Sequence, residues 1–223
     1  MIAIVYNGLK RFQKTANPNH QKMIERIRSK YPVTVYDFLK DSHEDTCPVG
    51  KAGPVMVYDF VQSCKAVKEN IIVKFRSDLW FTESSMNTIM SEINLIVLNQ
   101  LDVSFIGMDV RRYHDSEYIR VGPIGYKDGK SLVQDFCVIA DKTKIDDYET
   151  IIQNVILNKD VKSGHRQHHR IIGPSTRAYT IKCQLYLIRQ EYENPTDWQL
   201  GYDFVKGYNE PHAHIWFEGR KPQ

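Results

Sequence analysis

"ENIIVKFRSDLWFTES", residues 69–84, decides the reading of the fold. Ile71, Ile72 and Val73, followed by Lys74 and Phe75, make a short apolar run of the kind that fills a buried strand. The run stops at Arg76-Ser77-Asp78, and Ser84 or Ser85 then stands where a helix N-cap is expected. An arginine and an aspartate inside a buried strand would be costly without partners. At the strand's exit both can meet a polar ligand, or they can pair with each other.

Working outward, the same alternation repeats. "IAIVY" (2–6) is an apolar run that stops at the turn signal Asn7-Gly8. In "NPNHQKMIERIRSKYP", Asn17 is placed to cap and Pro18 suits a first helical position. Met23, Ile24 and Ile27 recur there at helical spacing, and Pro32 closes the segment. "VTVYDF" (33–38) alternates as a strand should. A charged loop runs from Asp41 to Gly53, and Pro54 opens a helix with Val57, Val61, Cys64 and Val67 on one face. Past the quoted stretch, Met86, Ile89, Met90, Ile93, Ile96 and Val97 predict a long helix, and "VSFIGM" (103–108) a further strand. Less regular expectations follow: strands over 132–141 and 177–188, and a helix over 146–157.

Strands separated by helices imply an α/β fold with a mostly parallel sheet. In such sheets ligands bind at the carboxyl ends of the strands. Asn7-Gly8, Asp37 and Arg76-Ser77-Asp78 fall near three successive ends. No repeat or low-complexity segment divides the 223 residues, which are therefore read as one domain, 1–223. The abrupt end at "EGRKPQ" is compatible with its being the N-terminal domain of a longer chain.

Composition narrows the classes. The chain is 42% apolar and 26% charged with a net charge of +3, which excludes a disordered chain and a strongly basic nucleic-acid binder. Its 13 Tyr, 9 Phe and 3 Trp supply a core first and ring-stacking surfaces second. Cys47, Cys64, Cys137 and Cys183 are far apart with no CxxC pair, so all four are read as reduced thiols of a cytoplasmic protein. The N-terminal apolar run is too short for a signal peptide or a transmembrane segment.

These motifs resemble the GT-A family of nucleotide-sugar-dependent glycosyltransferases. "IAIVYNG" looks like that fold's first strand and nucleotide-binding turn, and "VYDF" like its second strand. "GKAGPVMVYDFVQSCKAVKENIIVKFRSD" resembles the loop, helix and strand leading to the metal-binding acid. The wording "VKFRSDL" is closest to lipopolysaccharide-type and viral members, among them those of large DNA viruses of algae that glycosylate capsid protein. The resemblance implies transfer from a nucleoside-diphosphate sugar, with UDP as first choice, to a glycan or glycoprotein acceptor. It implies Mn2+ or Mg2+ at Asp78, donor contacts from Tyr6, Asn7, Gly8, Asp37, Arg76 and Ser77, and cations Lys14 and Lys51 facing the diphosphate. It also makes Trp80 a candidate floor for the sugar site. For a viral chain the host cytoplasm is the implied location.

One feature departs from the family's Asp-x-Asp metal motif, because Asp78 is followed by Leu79 and Trp80. A second protein ligand is therefore sought later in the chain. His212 and His214 of "YNEPHAHIWFEG" stand at strand spacing and are the favoured pair. His165, His168 and His169 of "SGHRQHHRIIG" are interleaved with Arg166 and Arg170, which would repel a cation, so that tract reads as a basic loop. If the reaction inverts configuration, a carboxylate must accept the acceptor's proton. Asp135 is the candidate, with Asp109 and Asp141 as substitutes. The competing reading is a non-enzymatic module that binds nucleotide or nucleic acid through the His/Arg loop. No RNA-binding aromatic signature, zinc spacing or basic helix supports it.

Overall fold

Side chains on a strand alternate between the two faces of a sheet, and here each face finds its own helix. Along β1 (Ile2–Leu9), Ile2 and Ile4 join one apolar cluster while Ala3 and Val5 join another. In β3 (Ile71–Phe75), Val73 and Phe75 join the first cluster and Ile72 the second. The first cluster is completed by Met23, Ile24 and Ile27 of α1 (Gln13–Arg28) and by Met86, Ile89 and Ile93 of α3 (Glu83–Val97). Phe60, Val61 and Cys64 of α2 (Ala52–Ala66) complete the second. The result is helix, sheet and helix in three layers, the α/β class expected from the alternation. The computed structural model describes residues 1–41, 52–108, 118–121, 137–145, 148, 177–183, 185–188, 190–197 and 199–200.

The main sheet adds β2 (Val33–Lys40), β5 (Val103–Met108), β6 (Tyr118–Val121), β7 (Cys137–Asp141) and β8 (Ala178–Cys183). Its seven strands lie in the order β2-β1-β3-β7-β5-β8-β6. β1 is parallel to β2 and β3, and β5 is parallel to β8. β7 lies antiparallel between β3 and β5, and β6 runs antiparallel to β8. Five strands thus run one way and two the other. A second, two-stranded sheet pairs β4 (Leu79–Phe81) with β9 (Leu185–Leu187).

Several local expectations are corrected. Asn7-Gly8 is not a turn: β1 runs through it to Leu9, paired with β2 as far as Leu9↔Lys40, and Gly8 is carried at φ 103. α1 begins at Gln13, behind Phe12 in the left-handed region at φ 49, so Pro18 sits inside the helix and not at its start. Proline has no N–H, so the Lys14 carbonyl lacks its helical donor. Thr82, not Ser84 or Ser85, caps α3, its hydroxyl accepting from the Ser85 amide at 3.1 Å. The expected strand 177–188 is broken into β8 and β9, which belong to different sheets. β4 was not foreseen. β7 holds the second half of the strand expected over 132–141. Residues 132–136 and the helix expected over 146–157, save Tyr148, lie outside the described residues. Cys64, Cys137 and Cys183 are buried thiols outside any disulfide among the described residues, and burial pushes the Cys64 thiol up to about 12.

Candidate functional site

The site begins where β3 ends. Phe75 pairs with Tyr6 of β1, and the chain leaves the sheet at Arg76. Ser77 then turns back, its hydroxyl donating to the Leu9 carbonyl at the end of β1 at 2.5 Å. Asp78 follows, buried at 5% exposure, its carbonyl accepting from the Ile188 amide at 2.8 Å. Its side chain takes both prongs of the Arg76 guanidinium: Nε donates to Oδ1 and Nη2 to Oδ2, each at 2.9 Å. Arg11, from the loop after β1, brings a second guanidinium to 3.9 Å from Oδ2 and is half exposed. One carboxylate thus stands between two permanent cations among the described residues.

That geometry tests the expected metal role. A divalent cation held by Asp78 would need the oxygens to which Arg76 donates, with another guanidinium close by. Among the described residues Asp78 is the single expected metal ligand, and it is engaged by these two guanidinium groups. Among the same residues no group of three or more His, Cys, Asp or Glu gathers as a metal site would require. His212 and His214, Asp135, Asp109 and Lys51 lie outside the described residues, as does the tract from His165 to Arg170.

The other expected donor contacts divide between the two faces of the sheet. Asn7 is buried and points toward α2, its amide donating to the Ser63 hydroxyl at 3.4 Å. Tyr6 and Asp37 lie level with each other in the β1–β2 register. Tyr6, partly buried, stacks on His20 of α1 with ring centroids 5.5 Å apart and meets Phe75 edge-on at 5.9 Å, so its ring packs against the core. Burial, with Asp37 near it, pushes the Tyr6 hydroxyl up. Asp37 is exposed, three residues short of the end of β2, and its Oδ1 accepts from the Leu39 amide at 2.9 Å. Among the described residues a Cβ at Gly8 would meet nothing within 4 Å, which leaves the backbone open on that side.

α1 holds β4 by two side chains that the sequence did not single out. Asn19 Nδ2 donates to the Phe81 carbonyl at 2.9 Å, and its Oδ1 accepts from the Phe81 amide at 2.7 Å. His20 Nε2 donates to the Leu79 carbonyl at 2.7 Å, which fixes the tautomer. His20 is fully enclosed by Tyr6, Phe75 and Phe81. Burial pushes its imidazole down to about 4, against the Leu79 bond and the Asp78 charge, which pull the other way. The unfolded chain takes this proton near pH 6.5 and the folded chain does not, so stability is fully present above 6.5 and drains as pH falls toward 4. We expect the stability advantage of the wild type over His20→Asn to shrink by about 3 kcal/mol between pH 7 and pH 4. Urea titrations of both proteins at the two pH values check this, and a constant difference would refute it.

With β4 held there, Trp80 faces outward. Its Nε1 donates to Asp197 at 2.6 Å, which sets the indole plane. Trp80 and Lys14 line a cavity of about 470 Å³ between the outer surface of α1 and residues 192–195. Lys14, expected at the diphosphate, is thus placed in this cavity along with the expected sugar floor.

No family model and no curated protein matches the chain. Among solved structures it is similar to a glycosyltransferase involved in glycosylation of the major capsid of PBCV-1: 13% identity, TM-score 0.48, covering 82% of this chain and 83% of that one. It is also similar to Staphylococcus aureus TarS bound to UDP-GlcNAc, at 10% identity and TM-score 0.45, covering 96% and 68%. A third likeness is to glucosyl-3-phosphoglycerate synthase of Mycobacterium tuberculosis in complex with Mn2+, UDP and glucosyl-3-phosphoglycerate, at 12% identity and TM-score 0.42, covering 100% and 81%. Likenesses this distant assign no role to any residue here. Among the described residues no helix is long and apolar enough to cross a membrane.

Proposed function

We propose that this chain is a GT-A glycosyltransferase, acting as a single domain in the cytoplasm, which moves a sugar from a nucleoside-diphosphate donor to a glycan or glycoprotein acceptor. The observation that carries the reading is the rim at the end of β3, where Arg76 and Arg11 both reach the carboxylate of Asp78. Two guanidinium groups at the carboxyl end of a parallel strand suit a diphosphate, whose paired oxygens match planar forks. The open backbone at Gly8 lies on the adjacent strand.

In the reaction the bond between the anomeric carbon and the diphosphate oxygen breaks, and the acceptor's hydroxyl oxygen bonds to that carbon. The leaving diphosphate gains negative charge, which Arg76 and Arg11 offset as it develops. Asp78 acts as a positioning residue that holds Arg76 in the plane the diphosphate meets. If configuration inverts, Asp135 takes the acceptor's proton. UDP is the first donor to try. At a hundredfold excess over its Kd, UDP would stabilise the protein by about 2.7 kcal/mol, read as a rise in Tm. Failure of UDP and GDP alike to shift Tm, with manganese and without it, would remove the proposal.

A further inference from the structure

The cavity beside Trp80 is not part of the rim cluster, and its wall has a chemistry of its own. Lys14, Pro18 and Lys22 recur every fourth residue of α1 and so share one face of the helix. The neighbouring polar side chains are already committed. Asn19 clamps Phe81, and the Thr15 hydroxyl donates to Glu191 at 2.8 Å. The two ammonium groups are different, for among the described residues neither Lys14 nor Lys22 pairs with an acid. Pro18 adds a second feature, because it leaves the Lys14 carbonyl without a helical donor on the same wall. Opposite stands the indole of Trp80, partly exposed and fixed by Asp197. Glu193 is the single acid among the lining residues, against two lysines.

We infer that this cavity binds an anionic saccharide. A sugar ring lays its C–H face on a fixed indole, its hydroxyls can donate to the Lys14 carbonyl, and a phosphate or carboxylate substituent meets Lys14 and Lys22. The volume suits a mono- or disaccharide, since ligand pockets run from about 300 to 1,000 Å³. Under the glycosyltransferase reading the occupant is the acceptor, and that last assignment rests on the reading. Saccharide binding itself does not.

Calorimetric titration with glucose 6-phosphate, glucuronate, glucose and inorganic phosphate tests the inference. Glucose 6-phosphate or glucuronate should bind at least tenfold more tightly than glucose, and inorganic phosphate more weakly than either. Lys14→Ala combined with Lys22→Ala should cost at least tenfold, Trp80→Leu a similar factor, and Glu193→Gln should tighten binding. Circular dichroism confirms that each variant is folded. Equal affinity for glucose and glucose 6-phosphate, phosphate binding as tight as the sugar phosphate, or no loss in the double variant would each overturn the inference. UDP and GDP titrated in parallel separate the two claims. Sugar-phosphate binding with neither UDP nor GDP bound would leave this site standing and remove the glycosyltransferase reading. UDP binding without sugar-phosphate binding would do the reverse.

Discussion

Under the glycosyltransferase reading, Arg76→Ala is expected to weaken UDP binding by roughly 100-fold, about 2.7 kcal/mol, because it removes one of the two guanidinium forks offered to the diphosphate. The Asp78 side chain is almost wholly buried, so among the described residues the variant also leaves its carboxylate with Arg11 alone, at 3.9 Å. Part of the loss should therefore appear as lowered stability. Arg76→Lys separates charge from shape: an ammonium keeps the charge but cannot donate to Oδ1 and Oδ2 at once, so affinity should fall between the two. Asp78→Asn keeps the side chain's size and leaves Arg76 poorly held, and a loss of about tenfold is expected. Calorimetry with UDP, run in manganese and in chelator, reads all three. If Asp78→Asn abolishes a manganese-dependent component while Arg76→Ala changes nothing, the roles of the two residues are reversed and the carboxylate, not the guanidinium, meets the donor.

Asn19→Leu should be the most costly change to stability outside the rim. One side chain satisfies both the amide and the carbonyl of Phe81. The leucine fills similar space but leaves two buried backbone groups without partners, at about 1–3 kcal/mol each. A total loss of roughly 2–6 kcal/mol in urea unfolding is expected, along with reduced sugar-phosphate affinity in the protein that remains folded, since β4 carries Trp80. A loss below about 1 kcal/mol would mean that β4 is held by its pairing with β9 and the core alone.

The alternation of strands and helices through residue 108 was legible because each element is long enough to show its period. Ile71 to Phe75 and Val103 to Met108 were read with the bounds they have in the structure. β4 was missed for the opposite reason: Leu79, Trp80 and Phe81 are too few to alternate visibly, and their partner strand lies more than a hundred residues away. Asn7-Gly8 misled because the pair is a strong local turn signal, whereas pairing with β2 carries the strand through it to Leu9. Pro18 misled similarly. Packing of Ala16, Met23 and Ile24 against the sheet outweighs one missing helical bond. At the site, the residues of the rim were visible in "FRSD", but not how they pair. Asp78 in sequence is a carboxylate in search of a cation, and only the fold reveals that the cation beside it is Arg76. Asn19 and His20 gave no signal, since a polar residue on a helix reads as solvent-facing until a strand is laid across it.

The place of β7 in the main sheet has a consequence for how the chain is made. β3 and β5 are not neighbours; the strand from Cys137 to Asp141 fills the slot between them. A nascent polypeptide that has emerged only as far as Met108 thus carries two inner edges rich in valine, isoleucine and phenylalanine, with nothing yet to cover them. Such edges invite pairing with other chains. A ribosome stalled in that interval would display a sticky half-sheet, and a chaperone that shields extended apolar backbone would have its greatest effect before residue 141 leaves the exit tunnel.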